Sequence, residues 1–192
     1  MAHRNEEQHG MEPQQGVSVV HRHIYFYCDV MPDTIQELVA NFKNLEIEGL
    51  VQGAIYGIDP LPIHLHIFSV GGDMHSGFLA ADMIRSSKVP VITYVEGLCA
   101  SAATLMSCSG SKRYVGKSAM MLVHQLSATI EGKHDDVKDH VANADKMSER
   151  AFAIYSVVVD PKNHQRLQEL LRREVLLSAV ESLELGLVDE IL

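Results

Sequence analysis

A serine, a histidine and a glycine pair each lie where a predicted strand ends. Ser101 follows the β-branched run VPVITYV, His124 follows the apolar run MMLV, and Gly71-Gly72 follow IHLHIFS. The carboxyl ends of parallel strands are where open α/β sheets place their functional residues. A serine hydroxyl needs a base to remove its proton, and histidine performs that task near neutral pH. These residue types at these positions indicate acyl transfer.

Acyl transfer also needs hydrogen-bond donors aimed at the oxygen of its tetrahedral intermediate. The backbone N–H of Gly72 and that of Ala102, directly after the serine, are the candidates. Gly72 lacks a Cβ, so a substrate carbonyl can approach it closely. Each feature alone also has an ordinary explanation, with Ser101 as a helix cap, the glycine pair as a turn and His124 as a half-buried strand residue. The spacing by itself leaves both interpretations open.

Strands and helices alternate along the chain, and they must position these residues. We predict strands at 22–28, 63–69, 91–95, 113–115 and 120–123 and a terminal strand that begins at 187–188, and helices beginning near 33, 76, 101, 133, 162 and 178. The long helix from 133 carries a predicted apolar stripe, which consists of Val137, Val141, Ala144, Met147, Ala151 and Ile154. Residues 46–60 are predicted to form an apolar loop. The polar residues 1–17 are predicted to be a mobile tail before a single domain at 18–192. The alternation predicts an α/β fold with a parallel sheet.

Charge and cysteine content exclude several classes of protein. The 192 residues carry a formal net charge of -9, which provides no basic surface for nucleic acid or anionic membrane. Three cysteines, few and odd in number, predict a reducing compartment rather than a disulfide framework. The polar N-terminus lacks the apolar core of a secretory signal, and no apolar stretch reaches the roughly 18 residues of a membrane span. We therefore expect a cytoplasmic protein.

Several motifs in order resemble those of the Clp protease proteolytic subunit, ClpP, over about residues 22–192. They are the Gly-Gly pair, a helix, a strand into G-x-x-A-S, a strand before His-Gln, and L-S-A-x-E-x-x-x-x-G-L-V-D near the end. The resemblance implies the ClpP/crotonase fold, with stacked ββα units and a protruding handle helix at about 133–159. It implies Ser101 as nucleophile, His124 as general base, and Gly72 and Ala102 as oxyanion donors.

The same resemblance implies an assembly and a substrate class. ClpP relatives form two stacked heptameric rings around a closed chamber, in which unfolded proteins or peptides are hydrolysed. Handle helices make the contact between the rings. Cleavage needs no metal or organic cofactor, and ATP is used by a separate AAA+ unfoldase.

This chain departs from the family at the third member of the catalytic triad. The family's aspartate position falls on Leu170, with Glu169 one residue away and Glu174 in the same segment. One residue along a helix turns the side chain by about 100°, so Glu169 is a hypothesis for this role and a solvated helix face is the alternative for both glutamates. The interval between Ser101 and His124 is also slightly shorter than in the family.

Two histidines alter the partner that the resemblance implies. Family members dock their unfoldase through aromatic-lined pockets, and two of those aromatic positions correspond to His64 and His66. Imidazole is a poorer lining for an aliphatic anchor, so docking of a standard unfoldase is in doubt. Because residues at i and i+2 of a strand face the same way, a metal site that also uses His21 and His23 is an alternative to surface histidines.

Two other functions stay open beside the serine endopeptidase. A non-catalytic ring or scaffold subunit fits the missing aspartate, although the retained Ser101, His124 and Gly72 argue against it. A specialised processing protease, such as a viral one acting without a standard unfoldase, fits the altered docking strand. Crotonase relatives use an oxyanion hole without a nucleophilic serine, and the Ser–His pair argues against that reaction.

Overall fold

The structure is a computed structural model, and it describes residues 16–127 and 129–192. The first 15 residues of the predicted tail lie outside the described residues. Gly16 and Val17, which were predicted to end that tail, instead belong to the first strand. The sequence reasoning therefore missed this first strand.

Six α-helices and eight strands make up the described part of the chain, which confirms the predicted α/β class. The strands are β1 (Gly16–Val20), β2 (His23–Tyr27), β3 (Ile63–Ser69), β4 (Val91–Ala100), β5 (Lys112–Val115), β6 (Met120–Leu122), β7 (Leu177–Ser178) and β8 (Glu190–Ile191). The helices are α1 (Pro32–Tyr56), α2 (Met74–Arg85), α3 (Ala102–Ser107), α4 (His134–Ser156), α5 (His164–Leu171) and α6 (Ala179–Leu185).

The strands form one sheet in the order β1-β2-β3-β4-β5-β8, with β6 pairing with both β4 and β7. The pairs β2–β3, β3–β4, β4–β5, β4–β6 and β5–β8 are parallel. Only the β1–β2 hairpin and the β6–β7 pair are antiparallel among the described strands. The predicted parallel sheet is thus found in its central part, and β6 pairs with the last three residues of β4.

Alternate residues of the central strands face opposite sides of the sheet. Ile24, Leu65 and Ile67 are fully buried against the helices. The residues between them carry rings on the other face, which is only half covered. The helices therefore bury one face, and the other presents histidines and tyrosines.

Helix α1 continues through most of the residues 46–60 that were predicted to be a loop. The glycines that suggested a loop are packing positions within the helix. A Cβ on Gly49 would lie 2.6 Å from Arg22 Nη2 and 2.7 Å from the Leu61 carbonyl oxygen. The helix ends at Gly57, whose φ of 64° suits a left-handed C-cap. The prediction was wrong because close packing, as well as a turn, selects glycine.

Helix α4 occupies nearly the whole of the predicted 133–159 segment. Its buried residues, Ala151, Ile154 and Tyr155, all lie near its C-terminal end. Val141, earlier in the helix, is 47% exposed although it belongs to the apolar stripe. The handle role of this helix stays a prediction, and the exposed stripe is the feature that a partner would cover.

Candidate active site

Ser101 lies in a strained turn between β4 and α3. Its φ of 54° and ψ of -129° are rare for a residue with a side chain and cost on the order of 1–3 kcal/mol. The Ser101 N–H donates to the Leu122 carbonyl at 2.8 Å, at the end of the β4–β6 pairing. A sharp strand-to-helix turn of this kind exposes a serine hydroxyl at the edge of a sheet.

Gly71 permits the chain after β3 to approach this turn. A Cβ on Gly71 would lie 2.6 Å from Ser101 Cβ and 2.6 Å from the Ala100 carbonyl oxygen. Its φ of 94° also belongs to the region that favours glycine. Gly77, in the first turn of α2, permits a similar approach, because a Cβ there would lie 3.0 Å from Ala102 Cβ.

The predicted oxyanion donors lie on either side of the serine turn. Gly72 pairs with Val30 through its neighbours, since the Val30 N–H donates to the Gly71 carbonyl and the Asp73 N–H donates to the Val30 carbonyl. In this pairing the N–H of Gly72 itself points away from Val30. Gly72 also lines the cavity that contains Ser101. Ala102 is the first residue of α3, and the first N–H groups of a helix have no partner within it.

Ser101 and His124 line one cavity of about 310 Å³, together with Gly72. His124 follows β6 by two residues, and its side chain is 17% exposed. The hydrogen bonds of the described residues join the Ser101 backbone to its neighbours but do not join its hydroxyl to His124. The structure thus brings the predicted nucleophile, base and one predicted donor to a common site without closing the Ser–His contact.

The structure brings Glu174, rather than Glu169, to the histidine. The Glu174 carboxylate lies 3.8 Å from His124 Nδ1, and its side chain is 79% exposed. Glu169 is exposed and accepts a hydrogen bond from Gln165 at 3.1 Å on its own helix. Leu170 packs against the core. The assignment of a third triad member stays a prediction, and the geometry favours Glu174.

Apolar side chains form the rest of the cavity wall, and sequence reasoning missed most of them. They are contributed by the start of α2, the C-terminal half of α4 and the end of α5, and they include Met74, Ala151, Tyr155 and Leu171. Ala151 belonged to the predicted stripe of the long helix, which was the one available signal. Such a wall suits an apolar side chain beside the reacting carbonyl.

The half-covered face of the sheet carries His64 and His66 in a stack of rings. His66 Nδ1 lies 2.7 Å from a Glu96 carboxylate oxygen, and His66 Nε2 lies 2.9 Å from His23 Nδ1. His64 Nδ1 lies 2.9 Å from the Tyr94 hydroxyl. Burial, followed by the neighbouring imidazoles, lowers the pKa of His23 and of His64. These imidazoles favour the neutral form.

Metal and thiol chemistry gain no support from the residues that the structure describes. Among them, no group of three or more histidine, cysteine, aspartate or glutamate side chains is arranged to hold a metal ion. Cys99 and Cys108 are buried, and burial raises the pKa of both thiols, that of Cys108 to about 11. A thiol nucleophile needs the thiolate form. The serine is therefore the better nucleophile at this site.

No helix in the described ranges combines the length and the apolar character that crossing a membrane requires.

Known proteins share this sequence pattern. The sequence model of the Clp protease family matches residues 21–192. The chain is 33% identical over 132 residues to the ATP-dependent Clp protease proteolytic subunit 2 of Treponema denticola. That alignment covers 68% of this chain and 66% of the relative, so it spans slightly less than two thirds of the relative's length. With a match that includes every strand from β2 to β8, the chain belongs to the Clp protease family.

Proposed function

We propose that this chain is a serine endopeptidase subunit that hydrolyses unfolded proteins or peptides through a Ser101 acyl-enzyme. The observation that carries the proposal is the strained Ser101 turn, which the Leu122 carbonyl holds at the same cavity as His124 and Gly72. Family membership supports a peptidase, and the residue roles are our inference.

The proposed reaction assigns one role to each residue. His124 removes the hydroxyl proton as Ser101 Oγ attacks the substrate carbonyl carbon. The N–H groups of Gly72 and Ala102 donate to the oxygen that becomes negative. His124 then gives its proton to the departing amine, and water hydrolyses the ester by the same two steps. The apolar cavity wall binds the side chain next to the scissile bond.

A fluorophosphonate probe tests for an activated serine. We expect stoichiometric labelling, detected by intact mass, that is lost in Ser101→Ala and retained in Ser148→Ala. Ser148 is a matched control because it lines the same cavity but bonds to the Ala144 carbonyl of its own helix. Labelling that persists in Ser101→Ala would contradict the proposal.

A non-catalytic ring or scaffold subunit is the second candidate. Two observations favour it, namely the missing hydrogen bond between Ser101 and His124 in the described residues and the packing of Leu170 at the family's aspartate position. An assembled protein that shows no labelling at any pH would establish this candidate over the peptidase.

We also propose that the chain assembles into stacked heptameric rings through α4. Val141 belongs to an apolar stripe that is exposed in the single chain, while the burial of α4 is confined to its last turns. Val141→Glu should dissociate the rings in sedimentation velocity, and Lys138→Glu, an exposed change on the same helix, should not. Intact double rings in Val141→Glu would overturn this assignment.

Hydrogen-bonded imidazoles lie at the positions where the resemblance to ClpP implies docking aromatics for an AAA+ unfoldase. His64 and His66 both have polar partners in the ring stack. ATP-dependent degradation with an AAA+ unfoldase and specialised processing without one therefore make different predictions. Casein digestion that requires unfoldase and ATP supports the first, and peptide cleavage unaffected by either supports the second.

A further inference from the structure

Two hydroxyl groups link helix α4 to the turn that holds Ser101. Tyr155, near the C-terminal end of α4, is 2% exposed. Its hydroxyl oxygen lies 2.7 Å from Thr104 Oγ1. Thr104 is fully buried, and its Oγ1 lies 2.6 Å from the Ser101 carbonyl oxygen. The link joins residues that are far apart in sequence, so no local pattern indicates it.

The direction of both hydrogen bonds follows from their partners. A carbonyl oxygen only accepts, so the Thr104 hydroxyl donates to Ser101. The Thr104 oxygen then accepts from the Tyr155 hydroxyl. Burial raises the pKa of Tyr155, so its hydroxyl keeps the proton that it donates. The chain of donors therefore runs from Tyr155 through Thr104 to the Ser101 carbonyl.

The Ser101 backbone is held at both of its polar groups. Its N–H donates to Leu122, and its carbonyl accepts from the Thr104 N–H at 2.9 Å as well as from the Thr104 hydroxyl. A positive φ on a residue with a side chain persists only where surrounding contacts enforce it. The contact with the Thr104 hydroxyl is the part of this restraint that a side chain supplies.

We infer that Thr104 and Tyr155 are positioning residues, which hold Ser101 in the conformation that aims its hydroxyl at the substrate. This inference rests on the proposed function, because it assigns to both residues a role in the Ser101 reaction. Tyr155 can also act on the substrate directly, since it lines the cavity that contains Ser101. Its hydroxyl and its ring can be separated by experiment.

Peptide hydrolysis by Tyr155→Phe and Thr104→Val tests the inference in the full-length protein. Each variant removes a hydroxyl and keeps most of the side-chain volume. Loss of one buried hydrogen bond corresponds to roughly a 3- to 10-fold fall in kcat. KM should stay within about twofold for Tyr155→Phe, because the ring still lines the cavity. Thr104→Ser, which keeps the hydroxyl, should restore kcat. The double variant should be no slower than Thr104→Val alone, because Thr104→Val already breaks the whole chain of hydrogen bonds that starts at Tyr155.

Thr93→Val is the matched control for a purely structural effect. Thr93 is also buried, and its hydroxyl donates to the Ser107 carbonyl at 2.8 Å, at the other end of α3. It should lower the melting temperature like Thr104→Val without the fall in kcat. An unchanged kcat in Tyr155→Phe, a rise in KM alone, or equal loss in Thr93→Val would each overturn the inference.

A structural measurement keeps this test independent of the proposed function. Should the wild-type protein fail to cleave peptide, the proposed function is wrong, and crystal structures still measure the restraint. We then expect Ser101 to leave positive φ in Thr104→Val and to keep it in Thr93→Val. An unchanged φ in Thr104→Val would refute the positioning role.

Discussion

Replacing Glu174 with glutamine should lower kcat/KM only slightly, and the structure sets the size of the effect. The carboxylate lies 3.8 Å from His124 Nδ1, beyond hydrogen-bond distance, and its side chain is 79% exposed. Exposed ion pairs contribute about 0.2–1 kcal/mol, which corresponds to a factor of roughly 1.4 to 5 in rate. A buried, hydrogen-bonded triad aspartate contributes about 10⁴-fold in kcat.

The assay compares wild type, Glu174→Gln and the control Glu169→Gln in peptide hydrolysis at low and high salt. The small loss in Glu174→Gln should vanish near 1 M salt, because screening then acts over about 3 Å. Glu169→Gln should match wild type, since Glu169 bonds only to Gln165 among the described residues. A loss of 100-fold or more in Glu174→Gln would refute this reasoning, because it would require the carboxylate to close on His124.

Two further predictions concern stability. Gly71→Ala should lower the free energy of unfolding by about 1–3 kcal/mol more than Gly57→Ala, because both have positive φ but only Gly71 has atoms within 4 Å of the new Cβ; equal urea midpoints would contradict this. Burial raises the pKa of Glu46, but hydrogen bonds from Lys43 and the Lys88 N–H outweigh it and leave the pKa lowered. A carboxylate whose pKa is lowered in the folded state stabilises the fold at pH values above its unfolded pKa of about 4.3. That stabilisation is lost as the pH falls through the folded-state pKa. The stability advantage of wild type over Glu46→Gln should therefore be full at pH 6.5 and shrink at pH 3, and a pH-independent difference would exclude the mechanism.

The sequence was most informative where the periodicity of apolar residues agrees with the residues that start and stop helices and strands. Strand β3 has the predicted bounds, and α6 begins after Ser178 and ends before Gly186 as its cap residues indicate. The terminal strand begins later than the predicted 187–188, because Leu187 and Val188 are core residues of the preceding loop. Burial alone does not distinguish a strand from a packed loop.

Parts of the site depend on distances that no local pattern encodes. Ser101 and His124 could be identified from the sequence because each follows the carboxyl end of a predicted parallel strand, and these ends meet at one edge of the sheet. Tyr155 could not be identified, because its contact with Thr104 depends on how α4 packs on α3. The choice between Glu169 and Glu174 likewise depends on the path of the loop after α5.

The pairing of β4 with β6 has a consequence for how the chain length can vary during evolution. Ala100 pairs with Leu122, so the serine and the histidine are placed across the sheet rather than by the number of residues between them. The connections at 109–111 and 116–119 lie outside that pairing. Insertions and deletions there can accumulate without moving the two side chains apart. A slip of one residue between β4 and β6 would instead turn His124 to the opposite face of the sheet. Drift in length is therefore tolerated in these loops, while the register is not free to change.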